Sequence, residues 1–237
     1  MSEKKTAIVT GASGGIGTGL VEAFLKAGYN VVGTSLDASR SLTASSTLVL
    51  VDGDIGKEET AQKTVEAAMT HFGSIDVLVN TAGIYRVKSF TDFTTADFNA
   101  LVSTNLSGFV YMTQLVVKQM LKQKSGSVVS ITASLADQPI AGVHASVSMM
   151  TKGGLNAITR SLAVEYARQG IRFNAVAPGV VATPLHQNDE AGAAARLPTG
   201  KVVDVKDIVE AVLYLAEADQ VNGEILHVDG GAHAGCW

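Results

Sequence analysis

The chain has 237 residues, 46% of them hydrophobic, 17% charged and only 5% aromatic, a composition that suits a well-buried α/β core. A formal net charge of −4 and a pI near 5.7 argue against nucleic acid or an anionic membrane as partner. One cysteine, Cys236, rules out a disulfide framework, no apolar run approaches the length of a membrane span, and Met-Ser-Glu-Lys-Lys leaves no room for a signal peptide before the first strand, so a cytoplasmic protein is expected.

The first apolar stretch, Thr6 to Val9, is too short and too β-branched for a helix. Thr10 to Gly17 then reads Thr-Gly-Ala-Ser-Gly-Gly-Ile-Gly, and Ile16, Leu20, Phe24 and Leu25 recur behind it at helical spacing. A strand, a glycine turn and a helix in direct succession aim backbone N–H groups and the positive end of a helix dipole at one spot, which suits a phosphate. Gly11 and Gly15 let the backbone turn and approach a ligand, and Gly17 lets helix and strand pack closely. The spacing Gly-x-x-x-Gly-x-Gly differs from the usual dinucleotide fingerprint, so the flanking strand and helix carry the reading.

A helix ending at Gly28, a strand over Asn30 to Ser35 and a strand over Leu48 to Val51 follow, the last closed by Asp52-Gly53-Asp54. Lys57 to Phe72 reads as an amphipathic helix and Ile75 to Asn80 as a strand apolar on both faces. Such strands alternating with helices predict a parallel sheet covered on both sides, doubly wound, with ligands beyond the carboxyl ends of the strands. The pattern continues with one long helix from Thr95 to Lys122, a strand from Ser127 to Thr132, and a helix from about Ala145 to Arg168. Arg172 to Ala177 is a strand ended by Pro178-Gly179, Asp204 caps a helix to Glu217, and Glu224 to Val228 is the seventh strand. The long helix is apolar around much of its circumference (Leu101, Leu106, Phe109, Leu115, Val116, Met120), which suggests burial against a second subunit. No Pro-, Gly- or Ser-rich stretch divides these segments, so residues 1–237 read as one domain.

Several short signals occur in order. They are Thr10-Gly11-x-x-x-Gly15-x-Gly17, Asp54-Ile55, Asn80-Thr81-Ala82-Gly83, Asn105-Leu106-Ser107-Gly108, Pro178-Gly179 with Thr183, and Asp229-Gly230-Gly231. Together they resemble the short-chain dehydrogenase/reductase family over nearly the whole chain. The resemblance implies a single-domain Rossmann fold, a doubly wound seven-stranded parallel sheet flanked by helices. It also implies that Gly11, Ser13, Gly15, Ile16 and Gly17 cradle the pyrophosphate of a nicotinamide dinucleotide. Asp54 and Ile55 would border its adenine, Asn80, Ala82 and Gly83 its ribose, and Pro178, Gly179, Val181 and Thr183 its nicotinamide. Asp54 also reads as a cap for the helix that follows.

An acidic residue at the end of the second strand commonly marks NAD preference; here Ser35 stands there, and Arg40 is near enough in sequence to pair with a 2′-phosphate. NADP(H) is favoured and NAD(H) remains possible. Arg40 also reads as a solvated loop residue. No metal site is assigned.

The chain departs from the family at the catalytic centre. Family chemistry uses Asn, Ser, Tyr and Lys, with Tyr and Lys four apart on one helical face. Lys152 is in place, Asn105 matches the Asn, but Ser148 stands where Tyr belongs, and no Tyr occurs between Tyr111 and Tyr166. The family Ser falls on Ala133 by strand alignment or on Ser134 with one inserted residue; Ser134 is preferred for its hydroxyl. Lys152 would hold the nicotinamide ribose and lower the pKa of the proton donor. Water held between Ser148 and Lys152, or His144 one turn earlier, is expected to replace Tyr as donor.

The expected activity is NADP(H)-dependent reduction of a small carbonyl compound, such as an activated ketone, diketone or quinone, by a homotetramer or homodimer. A non-catalytic dinucleotide-binding sensor or partner subunit is the competing reading, and an isomerase or dehydratase on the same fold a third. Residues 185–201 fall where the family places a mobile substrate lid.

Overall fold

The computed structural model describes residues 4–183, 194 and 197–235. Most of the expected lid and Cys236 therefore lie outside the described residues. Seven parallel strands form one sheet: β1 Thr6–Thr10, β2 Asn30–Ser35, β3 Leu48–Asp52, β4 Val77–Asn80, β5 Gly126–Ile131, β6 Ile171–Pro178 and β7 Ile225–Val228. Their spatial order is β3-β2-β1-β4-β5-β6-β7, as expected of a doubly wound sheet. The direction of winding reverses between β1 and β4, where Ala7 pairs with Val77 and Val9 with Val79. That reversal opens a crevice beyond the carboxyl ends of the strands.

The helices are α1 Gly15–Lys26, α2 Ala38–Ser41, α3 Glu58–Phe72, α4 Thr95–Leu101, α5 Gly108–Gln123, α6 Ser146–Tyr166 and α7 Val205–Glu217. On one face of the sheet Leu20, Val21 and Phe24 of α1 pack with Ile208, Val212 and Leu215 of α7. On the other face Ala61 and Ala68 of α3, Met112, Val116 and Met120 of α5, and Ala163 of α6 enclose Ile8, Leu78 and Phe173. Burying each large side chain contributes about 1.5–3 kcal/mol, so strands covered on both faces hold the rim above them rigidly. All five residues of β1 are buried, which explains the apolar run Ala7-Ile8-Val9 at its centre.

The single helix expected over Thr95 to Lys122 is instead α4 and α5 joined by a π-helical segment, Val102–Ser107. The wider turn changes the register between the two helices. Leu101, Phe109, Val116 and Met120 are all buried within the chain, so most of the apolar excess is accounted for without a second subunit. Taken end to end, Thr95–Gln123 is long and apolar enough to cross a membrane, contrary to the expectation from the sequence, although the core helix of a globular domain meets the same criterion. Arg40 lies on the short helix α2, not in a loop.

Candidate active site

The glycine loop is built by two close approaches. Gly11 has φ +66°, and a Cβ there would sit 2.9 Å from the backbone of Ala82. A Cβ on Gly17 would lie only 2.0 Å from the Gly11 carbonyl oxygen, so α1 rests directly on the loop. Gly14 caps α1 without a side chain, and the first turn of α1 carries no acidic residue. The first N–H groups and positive dipole end of a 12-residue helix thus face the crevice without a side-chain cap among the described residues. Thr10 joins this loop to the next strand. Its Oγ1 accepts from Thr81 N at 3.0 Å and Ala82 N at 3.1 Å and donates to Val79 O at 3.4 Å. Asn80 is buried, and its Nδ2 donates to Thr113 Oγ1 at 3.1 Å, bracing β4 against α5.

Three buried hydroxyls on the same rim lack a hydrogen-bond partner among the described residues: Thr34 and Ser35 at the end of β2, and Thr81 after β4. A glycine cradle at a helix N-terminus, flanked by unsatisfied hydroxyls, fits a phosphate- and ribose-bearing ligand. Ser13 turns toward Asp37, donating to its Oδ1 at 3.3 Å, and Ile16 is half-buried. Asp52, in register with Ser35, accepts from Ser39 N at 2.9 Å. Hydrogen bonds from the Ser39 hydroxyl and amide, with the Arg40 charge, hold the Asp52 carboxyl below its ordinary value. Asp54 does not cap α3, whose N-cap is Lys57; its Oδ1 accepts from Gly56 N at 2.9 Å. Ile55 is buried against Gly108 of α5. Beyond β6, Gly179 backs onto Asp229 at 2.9 Å from its potential Cβ, Val181 is buried and bridges to Val203, and Thr183 N donates to Val181 O at 2.8 Å.

The nicotinamide side is organised by the π segment. Asn105 sits inside it, buried, where its Oδ1 accepts from Ile84 N at 2.8 Å. Its Nδ2 donates to Ile84 O at 3.0 Å and to Thr151 Oγ1 at 2.9 Å, and Thr151 Oγ1 donates to Ser148 O at 2.7 Å. Lys152, one residue on, donates from Nζ to Ile131 O at 2.7 Å, and burial pushes its pKa down to about 8. A Cβ on Gly83 would lie 3.2 Å from Lys152 Nζ and 3.4 Å from Asn105 Oδ1. Asn105, Gly83 and Lys152, distant in sequence, therefore meet at one point.

Ser148 differs from its expected role. It is buried, its Oγ donates to Arg86 O at 2.9 Å, and it accepts from Arg86 N at 2.9 Å. The hydroxyl bonds both the carbonyl and the N–H of Arg86, so Ser148 fastens the segment after β4 to α6. His144 is exposed and precedes α6; its carbonyl accepts from Lys88 N at 2.8 Å. Ser134, not Ala133, is the buried one of the two. Sequence reasoning passed over Tyr85, Arg86 and Thr151, which the structure brings into this wall. The signal for the first two was their place directly behind Asn80-Thr81-Ala82-Gly83.

Fold and crevice together define a dinucleotide-binding α/β domain of the doubly wound class. The family model described as enoyl-(acyl carrier protein) reductase matches residues 11–233. The 3-oxoacyl-(acyl-carrier-protein) reductase FabG of Salmonella typhimurium is 33% identical over 241 residues, covering 98% of each chain. The chain belongs to the short-chain dehydrogenase/reductase family. Among solved structures, a 3-ketoacyl-(acyl-carrier-protein) reductase from Brucella melitensis complexed with NADH has a TM-score of 0.92 at 29% identity, covering 98% of this chain and 99% of that one. ElxO with NADP bound has a TM-score of 0.91 at 28% identity, covering 98% of this chain and 100% of its own.

Proposed function

We propose that this chain is an NADP(H)-dependent carbonyl reductase. The observation that carries the reading is the meeting of Lys152, Asn105 and Gly83 in the same crevice as the glycine cradle. A binding module needs the cradle but has no use for a half-buried ammonium at the far end of the crevice. When bound, the reduced nicotinamide supplies hydride to the carbonyl carbon of the substrate. The N–H groups at the start of α1 hold the pyrophosphate, and Lys152 takes the nicotinamide ribose. Asn105 fixes Ile84 and Thr151, and through them the two walls that meet at Lys152. Ser134 is the hydroxyl available to the substrate oxygen. Arg40 supplies the 2′-phosphate contact, which favours NADP(H) over NAD(H), and the absence of a carboxylate at Ser35 supports it. Relatives that reduce 3-oxoacyl groups support a small carbonyl substrate, with activated ketones, diketones and quinones first in line.

The commitment of Ser148 to Arg86 favours a second reading, a dinucleotide-binding partner subunit without catalysis. Exposed Val164 and Met150 on α6 and Leu121 on α5 support assembly as a homodimer or homotetramer in either case. NADPH oxidation across ketones, aldehydes, diketones and quinones separates the two readings. Turnover above the spontaneous rate on at least one class is expected. Tight NADPH binding with no turnover on any class overturns the reductase reading.

A further inference from the structure

Asp229-Gly230-Gly231 does more than close β7. Asp229 is buried, and its carboxylate accepts from Gly231 N at 3.0 Å, from His233 N at 2.8 Å and from His233 Nδ1 at 3.0 Å. The His233 ring stacks on that of His227, with centroids 4.0 Å apart and planes inclined by 19°. His227, on β7, donates from Nε2 to Asp137 Oδ2 at 3.0 Å. Asp137 also accepts from Asn156 Nδ2 of α6, at 3.2 and 3.1 Å. A chain of carboxylate, imidazole, imidazole and carboxylate thus links three elements that are distant in sequence.

Both ends of this chain follow strands at their carboxyl ends, where the crevice lies. At one end Asp229 backs Gly179 after β6, whose N–H donates to Val228 O at 3.0 Å and whose potential Cβ lies 2.9 Å from Asp229 Cα. At the other end, after β5, Asp137 N and Gln138 N both donate to Ser134 O at 3.0 Å. The Asp137 side chain therefore ties the turn that carries Ser134 to α6 and to β7.

An ionised carboxylate only accepts, so His227 Nε2 and His233 Nδ1 each carry a hydrogen, and the second nitrogen of each ring is the one that gains or loses a proton. Protonating His227 turns its bond to Asp137 into an ion pair and strengthens the hold. Two stacked cations oppose each other, so the pair takes up its protons in separate steps. Among the described residues, the charged groups bonded to the pair are Asp137 and Asp229, and α6 adds the neutral Asn156 to Asp137. That amide already holds Asp137 at every pH; the imidazole adds a hold that depends on a proton.

We propose that His227 is a positioning residue for Ser134: through Asp137 it sets the turn from which the Ser134 hydroxyl meets the substrate oxygen, and the stacked His233 tunes that hold. The proposal rests on the reductase reading. A hydroxyl stabilises charge developing on oxygen only where its geometry is fixed in advance, so a loosened turn lowers kcat and leaves the dinucleotide bound as before.

Two experiments test this, the first without substrate. Imidazole C–H signals are followed by proton NMR against pH in the wild type, His227→Gln and His233→Phe. The chain has 5 histidines, and the His227 signal is assigned by its loss in His227→Gln. Phenylalanine keeps the stack without the charge, so the His227 midpoint is expected to rise by about one pH unit in His233→Phe. An unmoved midpoint separates the two rings and overturns the tuning by His233. In the second experiment, kcat is measured on a carbonyl that the wild type reduces, with NADPH affinity read by calorimetry. His227→Leu is expected to lower kcat about tenfold at unchanged NADPH affinity, and His227→Gln to recover part of the loss, since its amide still donates. Adding His227→Leu to Ser134→Ala is expected to cost less than about twofold more, because the hydroxyl being positioned is gone. The ratio of wild-type to His227→Gln rate should fall between about pH 5 and 8, and any limb from Lys152 cancels in that ratio. A Ser134→Ala as active as the wild type, or losses that multiply in the double variant, overturns the positioning role and leaves the reductase standing. A wild type inactive on every carbonyl overturns the reductase reading, and the positioning role falls with it.

Discussion

Gly17→Ala tests whether the glycine loop is a phosphate cradle or merely a turn. The new Cβ would lie 2.0 Å from the Gly11 carbonyl oxygen. Real carbons do not approach within 3.0 Å, so helix α1 and the loop must part by roughly 1 Å. Overpacking of that kind costs about 1–3 kcal/mol in stability, which for a chain of this length lowers Tm by roughly 2–12 °C. The larger effect falls on binding. The N–H groups at the start of α1 move with the helix, and losing two charge-assisted hydrogen bonds at about 1.5–3 kcal/mol each weakens NADPH by at least roughly a hundredfold. Gly14→Ala is the control, since a Cβ there meets Gly11 O at an ordinary 3.4 Å. Calorimetric NADPH titration and a thermal melt read both effects. If Gly17→Ala binds NADPH within threefold of the wild type at about the same Tm, the backbone approach is not what holds the pyrophosphate.

The remaining predictions concern the rim and the wall. Arg40→Ala should weaken NADPH about tenfold more than NADH, and equal losses by calorimetry remove the 2′-phosphate contact. The rate should fall as pH rises through about 8, where Lys152 loses its proton in the free protein, and a profile flat to pH 9 contradicts this. Folding stability should move the other way. The unfolded lysine keeps its proton to 10.5, so stability without cofactor rises between about pH 8 and 10.5 by at most roughly 3 kcal/mol, a rise that Lys152→Met should abolish in urea melts. Asp97 is buried between Arg86 and Lys88, and hydrogen bonds from Lys88 and from the Thr94 cap of α4, with the Lys88 charge, hold its carboxyl far below the ordinary range. Asp97→Asn should cost about 2–4 kcal/mol by denaturant melt, less than a fully buried pair because both cations are partly exposed, and a cost under about 0.5 kcal/mol refutes the arrangement.

The sheet was legible because its strands bury both faces, so an unbroken apolar run carried nearly all the information needed. β2 falls where the sequence puts it, Asn30–Ser35, and the cradle follows from three glycines at fixed spacing. The π segment was not legible, since Ser103, Thr104, Asn105 and Ser107 weaken a helix without saying which backbone register replaces it. Neither was the engagement of Ser148. Its partner is the main chain of Arg86, and main-chain partners leave no mark in a pattern of side chains.

The two bonds between Ser148 and Arg86 also fix what a larger side chain at 148 costs. Tyrosine there cannot keep both bonds, so the part-buried N–H and C=O of Arg86 lose their partner, at about 1–3 kcal/mol for each where water does not reach them. The serine is thus a clasp between helix α6 and the segment behind β4, and the first effect of replacing it falls on the stability of that wall.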